Sequence, residues 1–226
     1  MKYELIATDT KDWYGVKLYR IKALIAIGAL VSPGDLGGYI QAEKCLNQSG
    51  NAWVSGNALV SGNALVYGNA LVSGNARVYG NALVSGNAWV SGNALVSGNA
   101  LVYGDARVCG NARVYGDALV SGNAWVSGDA LVSGNALVSG NAWVSGNARV
   151  YGDRLIFWAS KVGRDNGTLT VFSGKDGLIV TRGCFIGTVD QFLEKSITEH
   201  DDATHLEYRL LIEVAYSRIA RAQVPA

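Results

Sequence analysis

A six-residue phrase, G-[N/D]-A-x-V-[S/Y], repeats without a gap through the middle of the chain and constrains its fold more than any other feature. Alanine recurs at every sixth position from Ala52 to Ala148, which makes 17 copies, and Gly152–Ile156 is a degenerate eighteenth. Within each phrase Ala and Val alternate with variable residues, which is the periodicity of a β-strand whose Ala and Val point inward. The Gly-Asn or Gly-Asp pair supplies a bend, because glycine adopts positive φ freely and Asn and Asp tolerate it. Strands this short, joined by two-residue bends, predict a solenoid of parallel strands.

An aliphatic residue is followed four positions later by a small one, as in Val54 and Ala58 or Val60 and Ala64. In this respect the phrase resembles the hexapeptide repeat of left-handed parallel β-helices, and the resemblance covers about half of the chain. It implies a triangular coil with three phrases, or 18 residues, in each turn. Eighteen phrases then make about six turns, roughly 25–30 Å in length at about 4.8 Å per rung.

Aligning the phrases at intervals of 18 residues sorts the outward positions into three columns. The first column, called the Trp face below, carries Trp53, Leu71, Trp89, Arg107, Trp125 and Trp143. The third, the Leu face, carries Leu65, Leu83, Leu101, Leu119, Leu137 and Leu155. The second, the Arg face, alternates Leu–Ser rungs with rungs of Arg and Tyr, namely Arg77 and Tyr79, Arg113 and Tyr115, and Arg149 and Tyr151. Residues 55–90 and 91–126 differ at only four positions, so duplication alone would also copy these columns.

The repeat divides the chain into three parts: an N-terminal β cap at 1–48, the β-helix at 49–158 and a C-terminal tail at 159–226. A solenoid requires caps because its end rungs expose strand edges and core. In the cap, strands are predicted at Lys2–Ala7 and Gly15–Ile27. In the tail, a hairpin is predicted from Thr168–Ser173 and Leu178–Cys184, followed by helices at about Val189–Glu199 and His205–Ala222. Capping boxes, Thr188 with Gln191 and Thr204 with Glu207, predict the two helix starts.

The terminal parts carry weaker resemblances. Gly34–Ile40 and Leu46–Asn51 are similar to the segment that precedes such repeats in bacterial and prophage hexapeptide proteins, some described as transferases and some as polymer-forming proteins. Asn166–Val171 and Val180–Cys184 resemble the tails of phage and prophage proteins. These resemblances imply a prophage-type setting and carry over no activity.

Charge and composition exclude several classes of function. The formal net charge is +1, so the bulk charge does not indicate a nucleic-acid partner. Three scattered cysteines, Cys45, Cys109 and Cys184, show neither metal-site spacing nor a disulfide framework. No apolar stretch reaches membrane length and no signal peptide is recognisable, so we expect a cytoplasmic protein that does not enter a membrane.

Catalysis is disfavoured by what the repeat omits. Many hexapeptide β-helices are acyltransferases that use a histidine as general base, and a loop that interrupts the coil usually builds their acyl-donor pocket. The segment from Gly50 to Gly152 has no histidine and no interruption, and both histidines, His200 and His205, follow it. We therefore predict no catalytic residue, no cofactor and no metal site. An acyltransferase-like enzyme, with His200 or His205 supplied by a neighbouring subunit, remains the alternative.

The outward columns predict binding. Six stacked leucines would expose an apolar stripe of about several hundred Å², so we expect self-association through the Leu face, most simply as a trimer. Trp53, Trp89, Trp125 and Trp143 form a second apolar surface. The Arg–Tyr rungs are the candidate site for a small anionic, nucleotide-like ligand, because Arg supplies fixed donors and Tyr a ring face and a hydroxyl. Two alternatives stay open: the faces engage a protein partner, or Arg simply packs over Tyr as a solubilising surface.

Overall fold

The structure, a computed structural model, describes residues 1–152 and 154–223 and consists of a capped β-solenoid followed by a small α+β unit. Asp153, in the degenerate eighteenth phrase, lies outside the described residues. Each of the seventeen complete phrases forms one short strand followed by a bend. The bend glycines from Gly50 to Gly146 all have φ between 62° and 76°, which confirms why glycine is required at these positions.

Register confirms the turn of 18 residues, since each strand pairs in parallel with the strand 18 positions away, as Leu95 pairs with Arg113. Ala52 to Ala148 and Val54 to Val150, the inward positions, are at most 1% exposed. The core of the coil is therefore a stack of alanine and valine layers, with about six turns, as the repeat predicts.

The coil has three flat sides. The Trp face is a six-stranded sheet of Trp53–Val54 (β4), Leu71–Val72 (β7), Trp89–Val90 (β10), Arg107–Val108 (β13), Trp125–Val126 (β16) and Trp143–Val144 (β19). The Leu face has five strands, Leu65–Val66 (β6), Leu83–Val84 (β9), Leu101–Val102 (β12), Leu119–Val120 (β15) and Leu137–Val138 (β18). The Arg face comprises Leu59–Val60 (β5), Arg77–Val78 (β8), Leu95–Val96 (β11), Arg113–Val114 (β14), Leu131–Ser133 (β17) and Arg149–Tyr151 (β20).

The bend asparagines form ladders along the edges of the coil. The Nδ2 atom of one Asn donates to the side-chain oxygen of the residue 18 positions later, at 3.0 Å from Asn69 to Asn87. Asp105, Asp117 and Asp129 accept such bonds in place of asparagine. These carboxylates are bend residues, and each ends a ladder because it cannot donate onward.

The N-terminal cap extends the Arg face. Tyr3–Trp13 (β1) and Val16–Ala23 (β2) form an antiparallel hairpin, which Leu36–Ile40 (β3) joins to β5, and a 3-10 turn follows at Glu43–Cys45. β1 is six residues longer than the predicted strand at its C-terminal end, and β2 ends before the predicted Ile27. Ile21, Ile40 and Leu46 are fully buried against the first turn of the coil.

Two side chains of the cap complete the first rung. Tyr3 is fully buried and its hydroxyl donates to the carbonyl oxygen of Leu46 at 2.7 Å, and burial raises the pKa of this phenol. The Lys2 ammonium donates to the carbonyl oxygen of Ala52 at 2.8 Å and reaches that of Gly50 at 3.4 Å. These carbonyl groups point away from the second turn of the coil. The Lys2 ammonium therefore donates to them in place of the backbone N–H groups of a preceding turn.

The C-terminal unit caps the other end. Ile156–Val162 (β21), Gly167–Gly174 (β22), Gly177–Arg182 (β23) and Phe185–Thr188 (β24) form an antiparallel sheet in chain order. The predicted hairpin corresponds to β22 and β23, while β24 was not predicted. Phe172 of β22 is fully buried in the core of the coil. The other apolar side of this sheet packs against Val189–Glu199 (α1) and Asp202–Gln223 (α2).

The two helix starts test the two predicted capping boxes. The box of Thr188 and Gln191 is present, and α1 has the predicted bounds. The second box is wrong, because α2 begins at Asp202 and the carboxylate of Asp201 accepts the backbone N–H of Thr204 at 2.8 Å. This bond holds the pKa of the Asp201 carboxyl below its ordinary value. Glu207 instead accepts the backbone N–H of Gly163, which ties α2 to the loop after β21.

Candidate binding surfaces

The three Arg–Tyr rungs lie on one sheet, as predicted. Arg77 and Arg113 are exposed and Arg149 is half-buried, and rungs two apart are separated by about 10 Å. Nη1 of Arg149 donates to the carbonyl oxygens of Asp129 and Ala148, both at 3.2 Å. Within the described residues none of the three guanidinium groups has a carboxylate within salt-bridge distance. The face therefore presents a column of cations that lack a counter-charge among the described residues.

The tyrosines of this column also have a packing role. Ser133 pairs with Tyr151 on the neighbouring strand and is 3% exposed. Ser97, between the rungs of Tyr79 and Tyr115, is 7% exposed, whereas Ser73 on the Trp face is half-exposed. The phenol rings thus cover the small residues of adjacent rungs. The tyrosines of the Arg–Tyr rungs therefore contribute to packing, whereas the guanidinium groups of the arginines remain available to bind a partner.

The N-terminal hairpin adds aromatic residues to the Arg face that sequence reasoning missed. The ring of Trp13 meets the edge of Tyr79 at a centroid distance of 5.1 Å. Closer to the cap, Arg20 Nη1 donates to the Tyr39 hydroxyl at 2.9 Å, and Tyr39 pairs with Leu59 in the column. The sequence predicted two strands in the cap, at Lys2–Ala7 and Gly15–Ile27, and this did not reveal that they form a hairpin whose tip reaches the second rung.

The Leu face is continuous over five rungs instead of six. Leu65, Leu83, Leu101 and Leu119 are half-buried and Leu137 is 40% exposed. None of the outward positions on these five strands carries a charged side chain. Tyr67 and Tyr103 widen the apolar surface, the second at 41% exposure. Leu155 does not continue the column, because the chain leaves the coil there and this side chain packs against both hydrophobic cores.

The Trp face departs from prediction at its first member. Trp53 is 4% exposed, since the cap covers it and Tyr3 meets it edge-on at 6.4 Å, so it belongs to the core and not to a surface. Trp89 and Trp125 are 44% and 40% exposed, and Trp143 is half-buried and stacks on Trp125 at 5.5 Å.

These indoles are anchored to the rung before them. Trp89 Nε1 donates to Ser73 Oγ at 3.0 Å, and Trp125 Nε1 donates to Cys109 Sγ at 3.1 Å. Cys109 stands at the position equivalent to Ser73 and keeps its role as acceptor. The rings therefore have defined orientations on the surface.

The histidines lie together in the C-terminal unit. Nδ1 of His205 is 2.9 Å from Ser196 Oγ, and Nδ1 of His200 is shielded from solvent and has no hydrogen-bond partner among residues 1–152 and 154–223. In the part of the chain that the structure describes, no three His, Cys, Asp or Glu side chains are grouped so as to hold a metal ion. None of the described helices is both long and apolar enough to cross a membrane.

Comparison with known families agrees with this architecture. Ten segments match the family model described as YdcK Beta solenoid repeat, at residues 52–68, 58–74, 64–78, 76–92, 88–104, 94–110, 106–122, 112–128, 130–146 and 142–156. A search of curated proteins found no match to the chain. With strands that repeat every 18 residues over the same segment, the chain is a β-solenoid repeat protein whose coil is similar to the YdcK β-solenoid repeat.

Proposed function

We propose that the protein is a non-catalytic binding scaffold that assembles through its Leu face. The observation that carries this proposal is the five-rung column of leucine, flanked by Tyr67 and Tyr103 and free of charged side chains. A flat apolar face of this extent is more than a soluble monomer usually leaves in water. Cyclic symmetry lets one stripe meet its copies, and a parallel trimer is the simplest such arrangement.

The assembly test uses a matched pair of double variants. Leu101→Glu with Leu119→Glu places two carboxylates in the Leu face, and we expect monomers in sedimentation velocity. The control, Leu95→Glu with Leu131→Glu, makes the same change at half-buried positions of the Arg face and should leave the oligomer intact. A monomeric wild-type protein, or an oligomer that survives the first double variant and not the second, would contradict the assignment of the interface.

The Arg face is proposed as the surface that engages an anionic partner, either a small nucleotide-like ligand or an acidic protein. Its support is the column of guanidinium groups, which have no carboxylate partner in the described part of the chain, and the aromatic rings of Tyr79 and Trp13 on the same face. Native mass spectrometry of the protein purified without added ligand is the first experiment, since a discrete extra mass on the oligomer would identify a bound molecule.

Matched arginine variants then locate the partner. Arg77→Gln with Arg113→Gln should abolish the adduct or the protein interaction without changing the oligomer. Arg107→Gln removes an exposed arginine from the Trp face and should leave binding unchanged. Retention of the partner by the double variant would refute a role of the Arg face.

Acyl transfer is less well supported. The coil carries no histidine, its bends between Gly50 and Gly152 are all two residues long, and Nδ1 of His205 contacts Ser196 Oγ. We expect no turnover of acetyl-CoA with amine or hydroxyl acceptors, and turnover lost on His205→Ala would reinstate this activity. The prophage-type setting and the cytoplasmic location stay predictions.

A further inference from the structure

A cleft of about 270 Å³ opens in the C-terminal unit, between the turn that joins β23 to β24 and the C-terminal part of α1, and Tyr208 of α2 also lines it. Its inner wall is aromatic: Phe192 meets both Phe185 and Tyr208 edge-on at 5.2 Å. Phe192 and Tyr208 are at most 4% exposed, so these rings are fixed by packing. The cleft lies outside the coil and is independent of the three solenoid faces.

Two hydrogen bonds fix the guanidinium group of Arg182, which is a cation of the cleft. Its Nε donates to the Tyr208 hydroxyl at 3.1 Å and its Nη2 to the carbonyl oxygen of Val162 at 3.3 Å. A side chain at Gly167 would collide with this guanidinium, and one at Gly163 would collide with the Tyr208 hydroxyl. The absence of side chains at these two glycines thus leaves room for the hydrogen bonds that orient Arg182. Its guanidinium group is half-buried and has no carboxylate within salt-bridge distance among the described residues.

His200 also lines the cleft. Its ring meets Tyr208 edge-on at 5.5 Å, so it extends the aromatic wall that Phe192 and Tyr208 form. Nδ1 of His200 is shielded from solvent and therefore does not face the cleft, so a molecule there would contact the ring and not this nitrogen.

The charges of the residues that line the cleft limit the class of ligand that it can bind. Lys195 and Glu199 at the rim pair with each other at 3.5 Å, and Asp165 lies 3.5 Å from Arg164, so the rim charges are already compensated. Arg182 remains as the one positive charge of the lining without an ion-pair partner among the described residues, which suits one negative charge and not a polyphosphate. The aromatic wall suits an apolar or planar body.

We infer that this cleft binds a small aromatic monocarboxylate, with its carboxylate on Arg182 and its ring against Phe185 and Phe192. Lys195, whose ammonium lies 5.8 Å from the centre of the Phe185 ring, closes the outer side. This site involves no chemical change in the ligand.

Cys184 provides a built-in reporter, because it lines the cleft and is exposed, while Cys109 lies on the coil and Cys45 is buried. The experiment measures alkylation of each cysteine by iodoacetamide, with mass spectrometry, in the presence of benzoate or 3-phenylpropanoate. We expect alkylation of Cys184 to slow by about tenfold at a probe concentration near ten times Kd, with no change at Cys109. Acetate, benzyl alcohol and inorganic phosphate should not protect it.

Two variants assign the effect to the cleft. Arg182→Gln should weaken probe binding by roughly 10- to 100-fold, the value of a charged hydrogen bond. Since Arg182 also supports Tyr208, Lys195→Gln is the second variant and should weaken binding by about threefold, the small effect of an exposed charge. Lys175→Gln, in the turn between β22 and β23, should have no effect. Absence of protection in the wild-type protein, equal protection by acetate, benzyl alcohol or phosphate, or unchanged binding in a folded Arg182→Gln protein would each overturn the inference.

Discussion

The hydroxyl of Thr181 donates a 2.6 Å hydrogen bond to the main-chain carbonyl oxygen of Trp143, in the last rung of the Trp face. Thr170, which pairs with Thr181 across β22 and β23, accepts the N–H of Trp143 at 3.1 Å. In every earlier rung these main-chain groups face the next turn of the coil. The two hydroxyls therefore take the place of a missing strand, as the Lys2 ammonium does at the opposite end.

Thr181→Val removes the hydroxyl and keeps the shape of the side chain. Because Thr181 is 1% exposed, the carbonyl of Trp143 is left without a partner away from water, and we expect a loss of about 1–3 kcal/mol in the free energy of unfolding. Urea-induced unfolding measures it. Thr168→Val, at an exposed hydroxyl pair with Ser160, is the control and should change stability by less than about 0.5 kcal/mol. Equal effects of the two variants would argue against the capping role.

Lys2 predicts a pH dependence of stability. Burial lowers the pKa of its ammonium from 10.5 to about 8. Between these values the unfolded chain holds a proton that the folded protein has released, so stability rises with pH across this window. The gain is up to about 3 kcal/mol above pH 10.5 and is lost as the pH falls through 8.

The comparison with Lys2→Met isolates this contribution from that of other titrating groups. The difference in unfolding free energy between wild type and variant, followed from pH 7 to 11, should shift in favour of the wild type above pH 8. A difference that stays flat over this range would show that the pKa of Lys2 is not lowered.

Alanine variants of Gly98 and Gly183 distinguish the cost of backbone strain from the cost of steric contact. Both have positive φ, 70° and 56°, but a Cβ at Gly98 would lie 2.8 Å from the nitrogen of Gly116, whereas one at Gly183 meets nothing within 4 Å. We expect Gly183→Ala to cost about 1–2 kcal/mol from the left-handed backbone alone. Gly98→Ala should cost a further 1–3 kcal/mol or so from overpacking between turns. Thermal unfolding of both variants tests the difference, and similar costs would mean that adjacent turns separate easily.

Cys109 should be replaceable by serine and not by alanine. Its Sγ accepts the indole N–H of Trp125, as Ser73 Oγ does for Trp89, so Cys109→Ser keeps the bond. Cys109→Ala should cost about 0.5–1.5 kcal/mol and alter the near-ultraviolet circular dichroism of the Trp125–Trp143 pair. Ser91→Ala is the matched control, since the residue 16 positions after Ser91 is Arg107 and no indole bond is lost. A change in the spectrum with Ser91→Ala would point to a general disturbance of the face.

The sequence by itself determined the coil. Inward Ala and Val, the bend glycines and the turn of 18 residues follow from a period of two within each phrase and from backbone geometry that is local to six residues. The bounds of α1 follow equally from a local signal, because Thr188 and Gln191 satisfy backbone groups within one turn of helix.

Only the tertiary structure decided what happens where the repeat ends. Trp53 is buried by Tyr3, Leu155 leaves its column, and Lys2 bonds a carbonyl 50 residues away. The cleft around Arg182 also depends on contacts between segments far apart in sequence, which no local pattern encodes. A repeated phrase specifies its own neighbours, because each turn packs on a copy of itself, whereas the caps must match surfaces that occur once in the molecule.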